Sequence, residues 1–181
     1  MATVTACCWN KQNITTKSLV NYYKQSDRHK RMADYIAGAC AKNNLQTVIG
    51  HAIGELEDGT SSNWFQLGPS ASNLFITFWD NNNITSQTLT ATDVASYDAI
   101  NAAAGVYYFS TLSAGNLGDG GISYKTAMFK AMQYNWGPTS LWTGDRANCL
   151  PSGTTLKPSA YAWTMAFLAW GSGYAVSDIR Y

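Results

Sequence analysis

The sequence predicts a mainly α-helical single domain, an α+β fold only in the sense that at most one short β hairpin fits between its helices. Apolar residues recur at helical spacing in the first third of the chain, and helical segments alternate with glycine-rich loops in the second half. Of 181 residues, 46% are hydrophobic and 13% charged, as in a folded globular protein. We expect one hydrophobic core over residues 1–181, with residues 1–30 allowing a peripheral N-terminal extension.

Two helices are predicted before residue 58. The first carries an apolar stripe at Met32, Tyr35, Ile36 and Ala39. The second carries a longer stripe at Leu45, Val48, Ile49, Ala52, Ile53 and Leu56. The polar residues 42–44 lie between the two stripes, and they predict a break between the helices.

In the middle of the chain, the sequence does not determine whether one element is a strand or a helix. Residues 58–72 are rich in Gly, Ser, Asn and Pro, which predicts a loop. The apolar run over residues 74–79 fits either a short strand or a buried helical turn, because six residues do not fix the period of a pattern. A turn is predicted at residues 80–83.

Three helices are expected in the second half. Residues 93–112 fit one helix, whose small residues 102–105 permit close packing against a neighbour. A glycine-rich connection at residues 115–121 follows it. The next helix has one face formed by Tyr124, Met128, Ala131, Met132 and Asn135, and it ends at Gly137-Pro138. The last predicted helix is an apolar segment at residues 160–170.

Charge and histidine content argue against several classes of function. The net charge is +1, and the one basic cluster, residues 28–31, fits a solvated helix face better than a nucleic-acid interface. With His29 and His51 as the only histidines, and no zinc-type spacing, we expect neither a metal nor a cofactor. A Cys40–His51 amidase pair is disfavoured because both residues fall within helical segments.

The cysteines and the N-terminus bear on location. Cys7, Cys8, Cys40 and Cys149 leave several disulfide pairings open. The first residues lack the basic and apolar regions of a signal peptide, and no apolar run approaches the roughly 20 residues of a membrane span. We therefore expect cytoplasmic synthesis, reduced thiols and no stable membrane insertion.

Three separated motifs carry the functional signal. They are AIGELEDG at residues 52–59, NWFQLGP at residues 63–69 and AMQYNWGP at residues 131–138. A fourth segment supports them with residues spaced as Asn-x-x-x-Gly-x-x-Tyr, followed by two apolar positions: Asn101, Gly105, Tyr108, Phe109 and Leu112.

In this order the motifs resemble those of the lytic transglycosylase and lysozyme-like superfamily. The family pattern is an apolar helix ending in Glu-Ser-Gly, a Gly-Leu-Met-Gln-x-x-Pro turn and an Ala-Ala-Tyr-Asn-Ala-Gly-Pro stretch. The chain departs from it at Asp58, where Ser is usual, at Asn63, where Gly is usual, and at Gln133, where Ala is usual. The resemblance implies a lysozyme-like fold with helices around a sugar-binding cleft. It also implies cleavage of the β-1,4 bond between N-acetylmuramic acid and N-acetylglucosamine in peptidoglycan.

A glutamate at the end of an apolar helix suits the general acid that such cleavage needs, because burial raises the pKa of the carboxyl and keeps it protonated. The helical wheel does not separate Glu57 from Glu55, since both lie at the flanks of the apolar stripe. The resemblance favours Glu57, with Glu55 as the alternative, because small or apolar residues 52–54 precede it and Gly59 follows two positions later.

By resemblance, a set of polar and aromatic side chains lines the sugar cleft: Gln66, Tyr108, Tyr134, Asn135, Trp64 and Tyr161. Amides and phenols can hydrogen-bond to N-acetyl and hydroxyl groups, and flat rings can cover the faces of sugars. Each of these aromatic residues, taken alone, is equally explained by core packing. The implied partner is a glycan strand of peptidoglycan.

The reaction type and the existence of activity stay open at this point. A lytic transglycosylase needs one glutamate, whereas a lysozyme usually employs a second carboxylate, and no individual support exists for Asp58, Asp80 or Asp93. The lack of a supported second carboxylate favours the transglycosylase. The alternative is an inactive lysozyme-like module of a virion or wall-associated assembly, and a secreted disulfide-bonded effector is a weaker one. A phage or secretion apparatus would deliver the protein to the wall or periplasm; the oligomeric state is open.

Overall fold

The computed structural model describes residues 19–59, 62–112 and 124–137, together with Tyr161, Met165, Leu168 and Ala169. Over these residues the chain is helical and contains no β-strand, which confirms the mainly helical class. Seven helices have defined bounds within the described residues: α1 (Leu19–Tyr23), α2 (Asp27–Lys42), α3 (Thr47–Glu57), α4 (Pro69–Asn81), α5 (Ala91–Ser96), α6 (Asp98–Thr111) and α7 (Tyr124–Trp136).

Helix α2 forms where the first apolar stripe predicted it. Its N-cap is Ser26, whose side chain accepts a hydrogen bond from the backbone N–H of His29 at 3.3 Å. Asp27 in the first turn and Lys42 in the last complement the helix dipole. The predicted break follows, and there Asn44 adopts a left-handed backbone with φ of 50°.

Helix α3 is the central helix of the fold. Residues 49–55 are all buried, so the helix is covered on almost every side. It approaches α2 closely at two glycines. A Cβ at Gly50 would collide with Cys40 and Ile36, and one at Gly54 would lie 2.8 Å from Cδ1 of Ile36. These glycines let α2 and α3 pack against each other with little separation.

The helices of the middle region differ in part from the sequence expectations. The open run 74–79 is helical and belongs to α4, which begins with Pro69 in its first turn, so the loop after α3 is shorter than predicted. The single helix expected over residues 93–112 is two, because Tyr97 has an extended backbone between α5 and α6. Helix α5 has its own capping box, formed by Thr90 and Asp93.

Helix α6 joins these elements into one core, since it packs against α2, α4, α5 and α7. The largest fully buried side chains include Trp64, Phe65 and Phe109. Leu19, Tyr22 and Tyr23 of α1 are also buried, so α1 contributes side chains to the core. No helix within the described residues is long and apolar enough to cross a membrane.

Several expectations concern residues outside the described part of the chain. The connection at 115–121 lies there, as do most of the helix expected at 160–170 and Cys7, Cys8 and Cys149. The thiol of Cys40 is free and buried, and burial raises its pKa to about 12. In α7 the side chains of Tyr124 and Met128 are not described, whereas Ala131, Met132 and Tyr134 are buried and Asn135 is exposed.

Candidate active site

A cavity of about 360 Å³ opens at the C-terminal end of α3, where Glu57 is the last helical residue. Its walls come from the segment 65–71, which enters α4, and from two further helices, α6 with Tyr108 and α7 with Tyr134 and Asn135. Among the described residues that line this cavity, Glu57 is the one carboxylate. Residues from all four motifs therefore meet around a single carboxyl group.

The Glu57 carboxyl is in an environment that disfavours its charged form. Burial raises its pKa above the ordinary value, and a hydrogen bond from Tyr161 offsets part of this effect. The Tyr161 hydroxyl donates to Oε1 of Glu57 at 2.6 Å, and the phenol is itself buried. The pKa of Tyr161 is raised well above its ordinary value, first by burial and then by the neighbouring carboxyl, so the phenol keeps its proton and remains a donor.

Tyr134 forms the floor of the cavity together with the loop after α3. Its hydroxyl donates to the Phe65 carbonyl at 3.2 Å, and its ring centroid lies 5.3 Å from that of Tyr108. Burial raises the pKa of Tyr134 strongly, with Glu57 as a second cause. The half-buried Tyr108 ring and the exposed Asn135 side chain complete this wall.

Gln66 lies in the cavity wall but also contacts the helix that carries Glu57. Its backbone is left-handed, with φ of 49°, and its side chain is exposed. The amide Nε2 of Gln66 donates a short hydrogen bond to the backbone carbonyl of Glu57. Because the last four carbonyls of a helix have no partner within the helix, this bond caps the C-terminus of α3.

Trp64 does not line the cavity, although the resemblance placed it in the sugar cleft. Its ring is 1% exposed, and its indole N–H donates to the Gly54 carbonyl at 2.8 Å. The ring contacts Tyr22 and His29 edge-on, and the Arg28 guanidinium lies 5.0 Å from its centroid. Trp64 therefore caps the end of α3 from the core side.

Glu55, the alternative acid, is also absent from the cavity wall. It is 8% exposed, and the pKa of Tyr22 is raised first by burial, then by Asp58 and to a smaller extent by Glu55. The two glutamates that the helical wheel left equivalent thus have different surroundings: Glu57 borders open space, and Glu55 lies among the side chains near Tyr22.

Two asparagines of the motifs that were not among the predicted site residues, Asn63 and Asn101, hold the loop between α3 and α4. Asn101 of α6 is fully buried, accepts from the Phe65 N–H at 2.8 Å, and donates to Asn63 Oδ1 at 2.9 Å. Asn63 in turn accepts from the Leu67 N–H at 3.0 Å and donates to the Leu67 carbonyl at 3.1 Å. The signal for this role in the sequence was that Asn101 and Gly105 lie four residues apart, on one face of a helix. Both contact Phe65: Asn101 bonds to its backbone, and its ring packs against Gly105, where a Cβ would collide with it.

Comparison of the chain with protein-family models, curated proteins and solved structures found no match. A functional interpretation therefore depends on the residues and their geometry. The arrangement can hold a protonated carboxyl beside a cavity of the size that small ligands and sugar units occupy, with phenols and amides placed for hydrogen bonding.

Proposed function

We propose that the protein cleaves the β-1,4 bond between N-acetylmuramic acid and N-acetylglucosamine in peptidoglycan, with Glu57 as general acid and base. One observation carries this proposal: the Glu57 carboxyl has a raised pKa and borders a cavity of about 360 Å³ lined by Gln66, Tyr108, Tyr134 and Asn135. In this proposal the helices form a lysozyme-like domain around the cleft, an assignment supported by the order of the four motifs.

The first step needs a proton at the glycosidic oxygen when its bond to C1 of the N-acetylmuramic acid unit breaks. Since Tyr161 donates to Oε1 of Glu57, the transferable proton is carried by Oε2. The proton moves to the leaving oxygen, which departs as a hydroxyl group, and positive charge develops at C1. The Glu57 carboxylate that remains is stabilised by the Tyr161 hydrogen bond.

The second step favours a lytic transglycosylase over a lysozyme. The Glu57 carboxylate can remove the proton from the 6-hydroxyl of the same sugar, whose oxygen then bonds to C1 and closes a 1,6-anhydro ring. This sequence uses one carboxyl group, and one is what the described wall of the cavity supplies. A hydrolase would place water at C1 instead.

Purified protein incubated with peptidoglycan sacculi tests this function, with the released muropeptides measured by mass spectrometry. Anhydro-muropeptides are the expected product. Reducing ends would identify a lysozyme and overturn the transglycosylase assignment. Binding to sacculi without release would instead support the alternative, a lysozyme-like domain that serves as a structural or wall-binding component.

A further inference from the structure

The loop between α3 and α4 is tied to the end of α3 at alternate residues. The Trp64 indole donates to the Gly54 carbonyl, and the Gln66 amide donates to the Glu57 carbonyl. The Trp64 carbonyl accepts from the Gly59 N–H at 3.0 Å. The position of the last turn of α3, which carries Glu57, thus depends on the backbone of residues 63–67.

That backbone is held from the opposite side by the two asparagines. Asn101 accepts from the Phe65 N–H and Asn63 bonds to both backbone groups of Leu67, so the residues before and after Gln66 are both held through their backbones. Gln66 itself has a positive φ, a conformation that a non-glycine residue rarely adopts unless its surroundings impose it. The Phe65 carbonyl also receives the Tyr134 hydroxyl, so the same loop places a cavity phenol.

We propose that Asn63 and Asn101 are positioning residues for the Glu57 carboxyl, because they fix the loop whose Gln66 and Trp64 side chains cap the last turn of α3. The proposal rests on the proposed function for its effect on turnover. It goes beyond the family resemblance, in which position 63 is usually glycine. Neither asparagine contacts the substrate in this scheme, since neither lines the cavity; each acts through the loop.

The test compares Asn63→Ala with a matched variant, Asn43→Ala. Asn43 is also half-buried and also bonds to backbone, since its amide donates to the Ala39 carbonyl at 2.9 Å, but it lies at the end of α2 and not in the cleft. We expect both changes to lower the melting temperature, and Asn63→Ala to lower it more, because more hydrogen bonds are lost. Only Asn63→Ala should lower kcat on sacculi, by roughly tenfold or more, with a smaller change in KM, as expected when one loop hydrogen bond or more is lost.

A second readout does not depend on any enzymatic activity. In protein labelled with ¹³C at glutamate carboxyls, the pKa of Glu57 is measured by NMR titration. Asn63→Ala should move this pKa toward the ordinary glutamate value, because release of the loop lets water reach the carboxyl. Asn43→Ala should leave it unchanged. If wild-type protein releases no muropeptides, the proposed function fails, and the titration still decides the positioning role.

Asn63→Asp is a second variant, which keeps the proposal testable if Asn63→Ala does not fold. The aspartate keeps an oxygen that accepts from Leu67 and Asn101, and its second oxygen, which cannot donate, replaces the amide group that bonds to the Leu67 carbonyl. It should therefore retain a Glu57 pKa closer to wild type than Asn63→Ala does. A Glu57 pKa and kcat that are unchanged in both Asn63 variants would overturn the proposal, because the loop would then be dispensable for the carboxyl.

Discussion

Two regions at the C-terminal end of α3 contain the same kinds of residue in different arrangements. On the core side, Glu55 lies near Tyr22, and the Trp64 ring contacts Tyr22, His29 and Arg28. On the cleft side, Glu57 accepts from Tyr161 beside a cavity of about 360 Å³. Both regions combine a carboxyl group with a tyrosine. The difference is the open space beside Glu57, which leaves that carboxyl accessible from the cavity.

The end of α3 is packed into the core on one side and borders a cavity on the other. The core-side aromatic residues, with the Arg28–Asp98 ion pair at 2.8 Å, fix α1, α2 and α6 around α3. The cleft-side residues leave one carboxyl partly desolvated and accessible. Substitutions in the first region should therefore change stability, and substitutions in the second should change activity.

The largest effect is expected from Glu57→Gln, which should lower the rate of muropeptide release by roughly 10²- to 10⁴-fold, since the amide has no proton to deliver. Glu55→Gln is the matched control and should be milder. Mass spectrometry of the released products measures both. If Glu55→Gln abolished release and Glu57→Gln kept most of it, the assignment of the two regions would be reversed.

The same Glu57→Gln variant should be more stable than wild type at neutral pH. A carboxyl with a raised pKa binds more protons when folded, so its contribution to stability is present at low pH and is lost as pH rises through the unfolded and then the folded pKa. Glutamine does not ionise, so the variant does not lose stability in this way as pH rises. Thermal melts at neutral and mildly acidic pH measure the difference. Equal melting temperatures at neutral pH would mean that the carboxyl is well solvated.

Trp64→Ala should lower the free energy of unfolding by about 3–5 kcal/mol, as for other buried aromatic residues. Chemical denaturation measures this change. Trp64→Phe should be milder, because it keeps most of the packing and loses the bond to Gly54. A weakened affinity for glycan with unchanged stability would instead place Trp64 on the cleft side.

The core side should lose stability as pH falls, whereas cleavage at the cleft side should decline as pH rises. Burial lowers the pKa of His51 from 6.5 to about 4, and its ring contacts Tyr23 on the core side. The unfolded chain therefore binds the extra proton first, and stability should fall as pH drops from 6.5 toward 4, by about 3 kcal/mol in total. Denaturation of wild type and His51→Gln across this range measures it. A variant as acid-sensitive as wild type would assign the loss to other groups.

Cleavage, by contrast, should decline as pH rises through the pKa of Glu57, because the proton needed by the leaving sugar is lost. Tyr161→Phe should move this decline to higher pH, since the hydrogen bond from Tyr161 stabilises the carboxylate and lowers its pKa. Maximal activity should fall by about tenfold or less, the scale of one hydrogen bond. A pH–rate profile of both proteins measures the shift, and an unchanged profile would remove Tyr161 from the site.

The smallest structural effect is expected from Asn135→Ala. The side chain is exposed at the cavity wall, so its removal should weaken cleavage more than it lowers the melting temperature. Kinetics on sacculi and thermal melts measure the two effects. A loss of stability in proportion to the loss of activity would assign Asn135 to packing.

Sequence reasoning succeeded where the local pattern was long. The stripes of α2 and α3 and the polar break between them predicted both helices, because side chains on one face of a helix recur every three to four positions. Shorter patterns were insufficient. The run 74–79 did not distinguish a strand from a helix, and the split at Tyr97 left no periodic signal.

The sequence by itself determined α2 and α3, the polar break between them, and a glutamate at the end of α3. Only the tertiary structure decided that Glu57 faces the cavity, that Trp64 turns into the core, and that Asn63 and Asn101 meet across 38 residues. The physical reason is that periodicity reports which face of a helix is buried. What covers that face, and where space remains beside it, depends on chain segments that are distant in sequence.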